Sequence, residues 1–248
     1  MSEFIDVKNI KKVYERKIAL SSLSLSVKKG ELIALIGPSG AGKTTLLNLL
    51  AANLSPDQGE ITIDGQLLAE MTDQKKRAKK IGIIRQQFDL IGELPVIHNV
   101  LAGKLSEWGI IKSLLSMLFP QDKDDAIRAL TRVGLSEKLY ERTSALSGGE
   151  QQRVALARLL VQSPEIVLAD EPVASLDPAR AEDILALLVK IASEENQTLI
   201  ASLHSVEYAK RYFDRFVALQ DGQIFFDLPS SSVSDAQIAS LYKLKEQE

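Results

Sequence analysis

The chain has 248 residues, 45% of them hydrophobic and 25% charged, with no cysteine and a formal net charge of −3. That length suits one large domain, or one domain carrying a substantial subdomain, with a core that needs no covalent staples. The lack of cysteine excludes a disulfide framework, a thiolate zinc site and a thiol nucleophile, and the mildly acidic balance argues against a general nucleic-acid binder.

The opening stretch MSEFIDVKNIKK mixes charged and apolar residues, so no signal peptide is expected. No apolar run approaches the roughly 18 to 20 residues that span a bilayer. Residues 4–36 read as strands: FIDVKNIKKVY, then ALSSLSLSV alternating at period two, then a Lys28–Gly30 turn and the continuous apolar run ELIALIG. Such an unbroken run marks a buried parallel strand. Residues 44–53 look helical, and GEITIDGQLL forms a hairpin strand turning at Asp64-Gly65. Residues 87–145 change character, with long helical patterns (IIKSLLSMLFP, DKDDAIRALTRVGL) and few strand signals, and predict a mostly helical insert. Strands and helices then alternate through EIVLADE, PARAEDILALLVKIASEEN, TLIASLH and SVEYAKRYF, before a hairpin in RFVALQDGQIFFD. That alternation predicts an α/β fold with a parallel or mixed sheet covered by helices. The last twenty or so residues, 228–248, read as a tail: a polar loop and a helix of no obvious chemistry.

Chemistry concentrates first at Gly37-Pro38-Ser39-Gly40-Ala41-Gly42-Lys43-Thr44. The octapeptide fits the P-loop pattern and has an apolar strand before it and a helix after it. Its glycines let successive backbone N–H groups converge on a phosphate, and the helix N-terminus adds its positive end. Lys43 supplies charge to the β- and γ-phosphates, and the Thr44 hydroxyl is a hard ligand suited to Mg²⁺. The acidic partner is Asp170-Glu171, at the carboxyl end of the IVLA strand, where ligands sit in open α/β sheets. Asp170 would hold Mg²⁺ through water, and Glu171 would orient the attacking water. A second anion site appears at Ser147-Gly148-Gly149, directly before the helix of Glu150-Gln151-Gln152-Arg153. One lysine and two helix-end sites in one chain suggest that the second site closes over a nucleotide held by another copy.

In this order the motifs resemble the ABC transporter ATPase family along nearly the whole chain, to about Asp227. GPSGAGKTT at 37–45, ending on Thr45, looks like Walker A; LSGGEQQR at 146–153 is similar to the signature motif; IVLADE looks like Walker B; Ser175-Leu176-Asp177 looks like the D-loop. Gln86 falls at the Q-loop glutamine and is preferred over Gln87. His204 falls at the switch histidine, and Tyr14 at the aromatic that stacks on adenine. The resemblance implies a P-loop NTPase core (1–86 and 146–227) with an antiparallel β subdomain, and a helical subdomain inserted at 87–145. It implies ATP and Mg²⁺ as ligands, Gln86 meeting metal and water, His204 meeting the γ-phosphate, and Gln151 and Asp177 among the nucleotide-contacting residues. The implied partners are a second copy sharing two ATP sites, transmembrane permease subunits and, indirectly, a periplasmic or lipid-anchored substrate-binding protein, with no nucleic acid. The implied location is the cytoplasmic face of the inner membrane, as a peripheral subunit.

Three positions depart from the family pattern. Glu150 stands where glutamine is common and is expected to leave Ser147 and the glycines unaffected; Arg85 replaces an aromatic, and Ser205 an acidic residue. The insert segment Trp108 to Leu115 with Phe119-Pro120, together with PVASLDP at 172–178, resembles the phosphonate-import branch. That implies uptake of a phosphonate or a related phosphorus oxyanion; the alternatives are another ABC importer or exporter (amino acid, lipoprotein) or a soluble ABC ATPase. The apolar stripe over 110–119 either packs within the insert or meets the transmembrane partner.

Overall fold

The structure, a computed structural model, describes residues 3–15, 17–86, 88–118, 120–174 and 176–243. Ser175, Gln87 and Phe119, each singled out from the sequence, lie outside the described residues. In chain order the elements are β1 (Ile5–Tyr14), β2 (Lys17–Val27), β3 (Leu32–Ile36), α1 (Lys43–Leu50), β4 (Gln58–Ile63), β5 (Gln66–Leu67), α2 (Gln74–Lys80) and β6 (Ile81–Ile84). The helical stretch follows with α3 (Val96–Leu101), α4 (Ile110–Leu118), α5 (Lys123–Arg132) and α6 (Gly148–Gln162). The chain then runs through β7 (Ile166–Asp170), α7 (Pro178–Glu194), β8 (Thr198–Ser202), α8 (Val206–Tyr212), β9 (Arg215–Gln220), β10 (Gln223–Pro229) and α9 (Asp235–Leu241).

Period-two alternation in the first segment makes a twisted antiparallel sheet in the order β2-β1-β4-β5. Its hairpin turns through Asp64 and Gly65, whose φ values of 53° and 74° are what a two-residue turn between right-twisted strands requires. The continuous apolar runs build the second sheet, ordered β10-β9-β3-β8-β7-β6. All its neighbours pair parallel except β10, an antiparallel edge strand. β3 and β8 are buried along their full length, because helices or the first sheet cover both of their faces.

Alternate residues of β3 feed two separate cores. Ile33 and Leu35 join α1 and the antiparallel sheet. Leu32, Ala34 and Ile36 join α3, α5, α6 and α7 on the opposite face. The chain after β10 packs on this second core, with Val233 and Leu241 buried in it.

The helical stretch is closed at its base by one buried amide. Asn99 accepts from Ile91 N (2.8 Å) and donates to Ile91 O and to Thr143 Oγ1 (both 2.9 Å). Thr143 Oγ1 donates onward to Leu94 O (3.0 Å), so the two ends of the stretch are tied and the buried polar atoms are paired. Of the two readings of the α4 stripe, packing within the insert does not describe its aliphatic face: Ile111 is 77% and Leu114 61% exposed. Trp108 instead turns inward and donates through Nε1 to Asp122 (3.1 Å).

The backbone comes close to α6 at Gly103. A Cβ there would stand 2.4 Å from Arg158 O and 3.0 Å from Gln162 N, and neither backbone atom yields without moving the helix. Gly103→Ala is expected to cost about 2–3 kcal/mol, within the range for overpacking. Differential scanning calorimetry should then show a Tm lower by about 5–10 °C.

Candidate functional site

The carboxyl ends of β3, β7 and β8 stop side by side, with Asp170 opposite Ser202 and Leu35 opposite the same serine. Whatever follows each strand is therefore delivered to one crevice. From β3 the chain passes through residues 37–42 into α1, whose N-cap is Gly42 and which has no side-chain cap. The first-turn N–H groups of α1 thus remain available as donors. Lys43 opens the helix almost fully buried, and its Nζ donates to Gly37 O (2.7 Å) and Pro38 O (3.1 Å). Burial pushes the Lys43 ammonium below its ordinary pKa, while Glu171 and Asp170 pull it back up.

β7 delivers the acids. Asp170 Oδ1 accepts from Thr44 Oγ1 (3.2 Å) and from Ser202 Oγ (2.8 Å). The Ser202 hydroxyl accepts in turn from Glu171 N (2.8 Å), which fixes the next peptide. Glu171 has φ 49°, a left-handed conformation that is unfavourable for a residue with a side chain and recurs at functional sites. That conformation directs its carboxylate to the end of β8, where Oε1 accepts from His204 Nε2 at 2.6 Å.

Tyr14, at the end of β1, joins the phosphate loop across an open cavity of about 310 Å³. Its walls are Tyr14, Lys17 and Ala19 on the antiparallel sheet, then Ser39, Gly40, Ala41, Gly42, Lys43, Thr44 and Thr45, with Glu171 opposite. A partly exposed aromatic at one end and a cluster of donors at the other suit a nucleotide, base first and phosphates last. For a cation, the Thr44 hydroxyl and Asp170 carboxylate meet as hard oxygen donors. Among the described residues no group of three or more His, Cys, Asp or Glu side chains gathers as a metal cage. Two protein oxygens with the remaining positions left to phosphate and water is the pattern Mg²⁺ accepts, so these residues fit that ion.

Other predicted residues stand apart from this cavity. Ser147, Gly148 and Gly149 do not line it. Ser147 is the N-cap of α6 in a capping box: Glu150 Oε2 accepts from both the N–H and the hydroxyl of Ser147 (each 2.8 Å). Glu150, expected to leave Ser147 and the glycines unaffected where glutamine is common, thus touches Ser147 directly through its carboxylate. Those bonds keep the Glu150 carboxyl below its usual pKa, so a negative charge sits at this helix end. Gln151 donates to Thr143 O and Leu146 O (3.3 and 3.1 Å), bracing the turn before α6. Asp177 caps α7, accepting from Arg180 N (3.1 Å). Gln86 is exposed in the turn after β6, and Arg85 beside it pairs with Asp89 (2.7 Å).

Two contributors escaped the sequence reading. Ser202 is the hub of the acid end, yet in sequence it is one more small residue inside an apolar strand. Arg158, on α6, donates to Phe88 O and Asp89 O (both 2.7 Å) and so ties the signature helix to the loop after Gln86. Only its place five residues past the signature octapeptide distinguishes it in sequence.

Similarity to known proteins agrees with this geometry. The profile of the ABC transporter family matches residues 20–174. The Phosphonates import ATP-binding protein PhnC 1 of Pseudomonas syringae pv. tomato is 46% identical over 227 residues, 91% of this chain and 86% of that protein. PhnC 3 of Halalkalibacterium halodurans, a protein of the same description, is 39% identical over 244 residues, 97% of this chain and 95% of its own. Among solved structures, the dimeric ATP-binding cassette MJ0796 in a post-hydrolysis state with ADP and Pi superposes with a TM-score of 0.76 at 31% identity, covering 91% of this chain and 98% of its own. With that match and relatives at this identity and coverage, the chain belongs to the ABC transporter family.

Proposed function

We propose that this chain is the ATP-hydrolysing subunit of an ABC importer that takes up a phosphonate or a closely related phosphorus oxyanion. One observation carries the enzymatic part: the 2.6 Å contact between Glu171 and His204 at the mouth of the phosphate loop. A carboxylate and an imidazole held together where a γ-phosphate would lie can position a water and its proton. The phosphate-loop N–H groups and Lys43 bind the β- and γ-phosphates, and Tyr14 supplies a face for the adenine. Thr44 and Asp170 would hold Mg²⁺, with Gln86 beside it, and the ion would supply positive charge against the phosphates. Glu171 aligns the attacking water, and His204 fixes Glu171 while contacting the γ-phosphate.

The second anion site belongs to a partner copy's nucleotide. Ser147 to Gly149 at the α6 N-terminus close on the γ-phosphate opposite the phosphate loop, giving a homodimer with two shared ATP sites. ATP binds both faces and so favours the closed pair, whereas hydrolysis removes the bridge; this is a switch set by differential affinity. Two permease subunits read the movement through a groove lined by Ala51, Asn53, Arg77, Ile83, Leu105 and Ser106, between the end of α1, α2 and the helical stretch. No described helix is long and apolar enough to cross a membrane. Attachment to the cytoplasmic face of the inner membrane then runs through those permeases, and a substrate-binding protein delivers cargo on the far side. The phosphonate assignment is supported by the relatives at 39–46% identity, each described as a phosphonates import ATP-binding protein.

Glu171→Gln is expected to lower kcat at least about 100-fold while ATP still binds and drives dimerisation, as removing a positioned base requires; near-normal ATPase activity would remove Glu171 from that role. Glu150→Gln keeps the capping box but deletes a negative charge beside the incoming phosphate. Its ATP concentration for half-maximal dimerisation should fall about fivefold, read by analytical ultracentrifugation of an otherwise hydrolysis-deficient protein. For the cargo, ATPase activity of the reconstituted transporter should rise when a phosphonate-loaded binding protein is added. Stimulation by an amino-acid-loaded binding protein instead would reassign the substrate.

A further inference from the structure

The chain beyond β10 reaches back to the phosphate loop. Residues 230–232 make a short turn, and α9 then starts at a capping box formed by Ser234 and Gln237. Leu241 is fully buried in the core beneath the parallel sheet, and Tyr242 packs half-buried against that same core. This seating aims the Tyr242 hydroxyl at the end of β3, where it accepts from Gly37 N at 3.3 Å.

Gly37 is where the phosphate loop leaves the sheet. The last paired residues of β3 are Leu35 against Ser202 and Ile36 against Ala218, so the N–H of Gly37 lies beyond the ladder. Its φ of 143° turns the chain out of the strand. No side chain fits there, since a Cβ would stand 2.1 Å from Leu219 O on β9. The same residue's carbonyl accepts from Lys43 Nζ at 2.7 Å. Gly37 is thus gripped by the phenol at its N–H, by β9 along its flank and by the phosphate-binding lysine at its carbonyl. Further along the loop, Gly222 in the β9–β10 turn donates to Ala41 O at 3.1 Å. Both supports come from the last part of the chain, which no nucleotide motif occupies.

We infer that Tyr242 is a positioning residue of the nucleotide site: its hydroxyl fixes the Gly37 peptide and with it the approach of residues 38–43 and Lys43 to the phosphates. This brace presupposes that the loop binds ATP as described above. Burial raises the phenol pKa, so the hydroxyl stays neutral and keeps its hydrogen-bonding form across the working range of the enzyme. Spending the Gly37 N–H on Tyr242 also removes it from the phosphate-binding set, leaving the later N–H groups of the loop to converge on the ligand.

The test compares the full-length wild type with Tyr242→Phe, which keeps the ring in its core contact and deletes only the hydroxyl. Loss of one hydrogen bond that orients a binding loop is expected to raise KM for Mg-ATP, and Kd for a fluorescent ATP analogue, about three- to tenfold, with kcat within about twofold. Hydrogen exchange in nucleotide-free protein should show the Gly37 amide at least about fivefold faster, with amides of β3 and β8 unchanged. A purely structural role predicts something else: a Tm loss with exchange accelerated evenly and no KM-against-kcat split, and that result would overturn the brace. Wild-type KM, Kd and Gly37 exchange in the variant would overturn it as well. A wild type that binds no ATP analogue would overturn the nucleotide reading, and the brace with it, whereas wild-type binding matched by the variant would overturn the brace alone.

Discussion

Parallel strands that end together leave their last groups with no partner but one another, and here the Ser202 hydroxyl settles how they pair. It is fully buried at the end of β8, donates to Asp170 Oδ1 at 2.8 Å and accepts from Glu171 N at 2.8 Å. A hydroxyl has one proton to give and lone pairs to receive, so this arrangement satisfies both neighbours at once. It sets Asp170 toward Thr44 and holds the peptide of Glu171 in a conformation the residue would otherwise avoid. The mutual placement of Thr44, Asp170 and Glu171 therefore follows from one small side chain.

The two-sided burial of β3 has a similar organising effect. One face commits the phosphate loop's strand to α1 and the antiparallel sheet that carries Tyr14. The other commits it to α3, α5, α6 and α7 and, through α9, to Tyr242. The five residues of the central strand thus set the antiparallel sheet that carries Tyr14 and the helices of the opposite face in one register.

Much of this was legible in the sequence because the physics is local. A glycine-rich loop between an apolar strand and a helix, or a Ser-capped helix that opens on Gly-Gly, is written in consecutive residues. The Asp64-Gly65 turn, the buried runs of β3 and β8 and the helix over 110–118 follow from composition and period alone. What could not be read depends on distance in space. Ser202 looks like any small residue in a strand, and Tyr242 meets a loop 205 residues away. The outward face of α4 is a matter of which neighbours are missing, which periodicity does not report. The reach of the Glu150 carboxylate back to the Ser147 hydroxyl likewise depends on the local helix geometry.

Arg158 has a mechanical consequence. Its guanidinium makes two bonds of 2.7 Å to successive carbonyls, Phe88 and Asp89, in a loop where both residues carry positive φ. Charge-assisted bonds in a partly buried setting are stiff compared with the loop they hold. Any tilt of α6 would therefore be carried by a short, stiff link into the loop that follows Gln86, with little taken up along the chain.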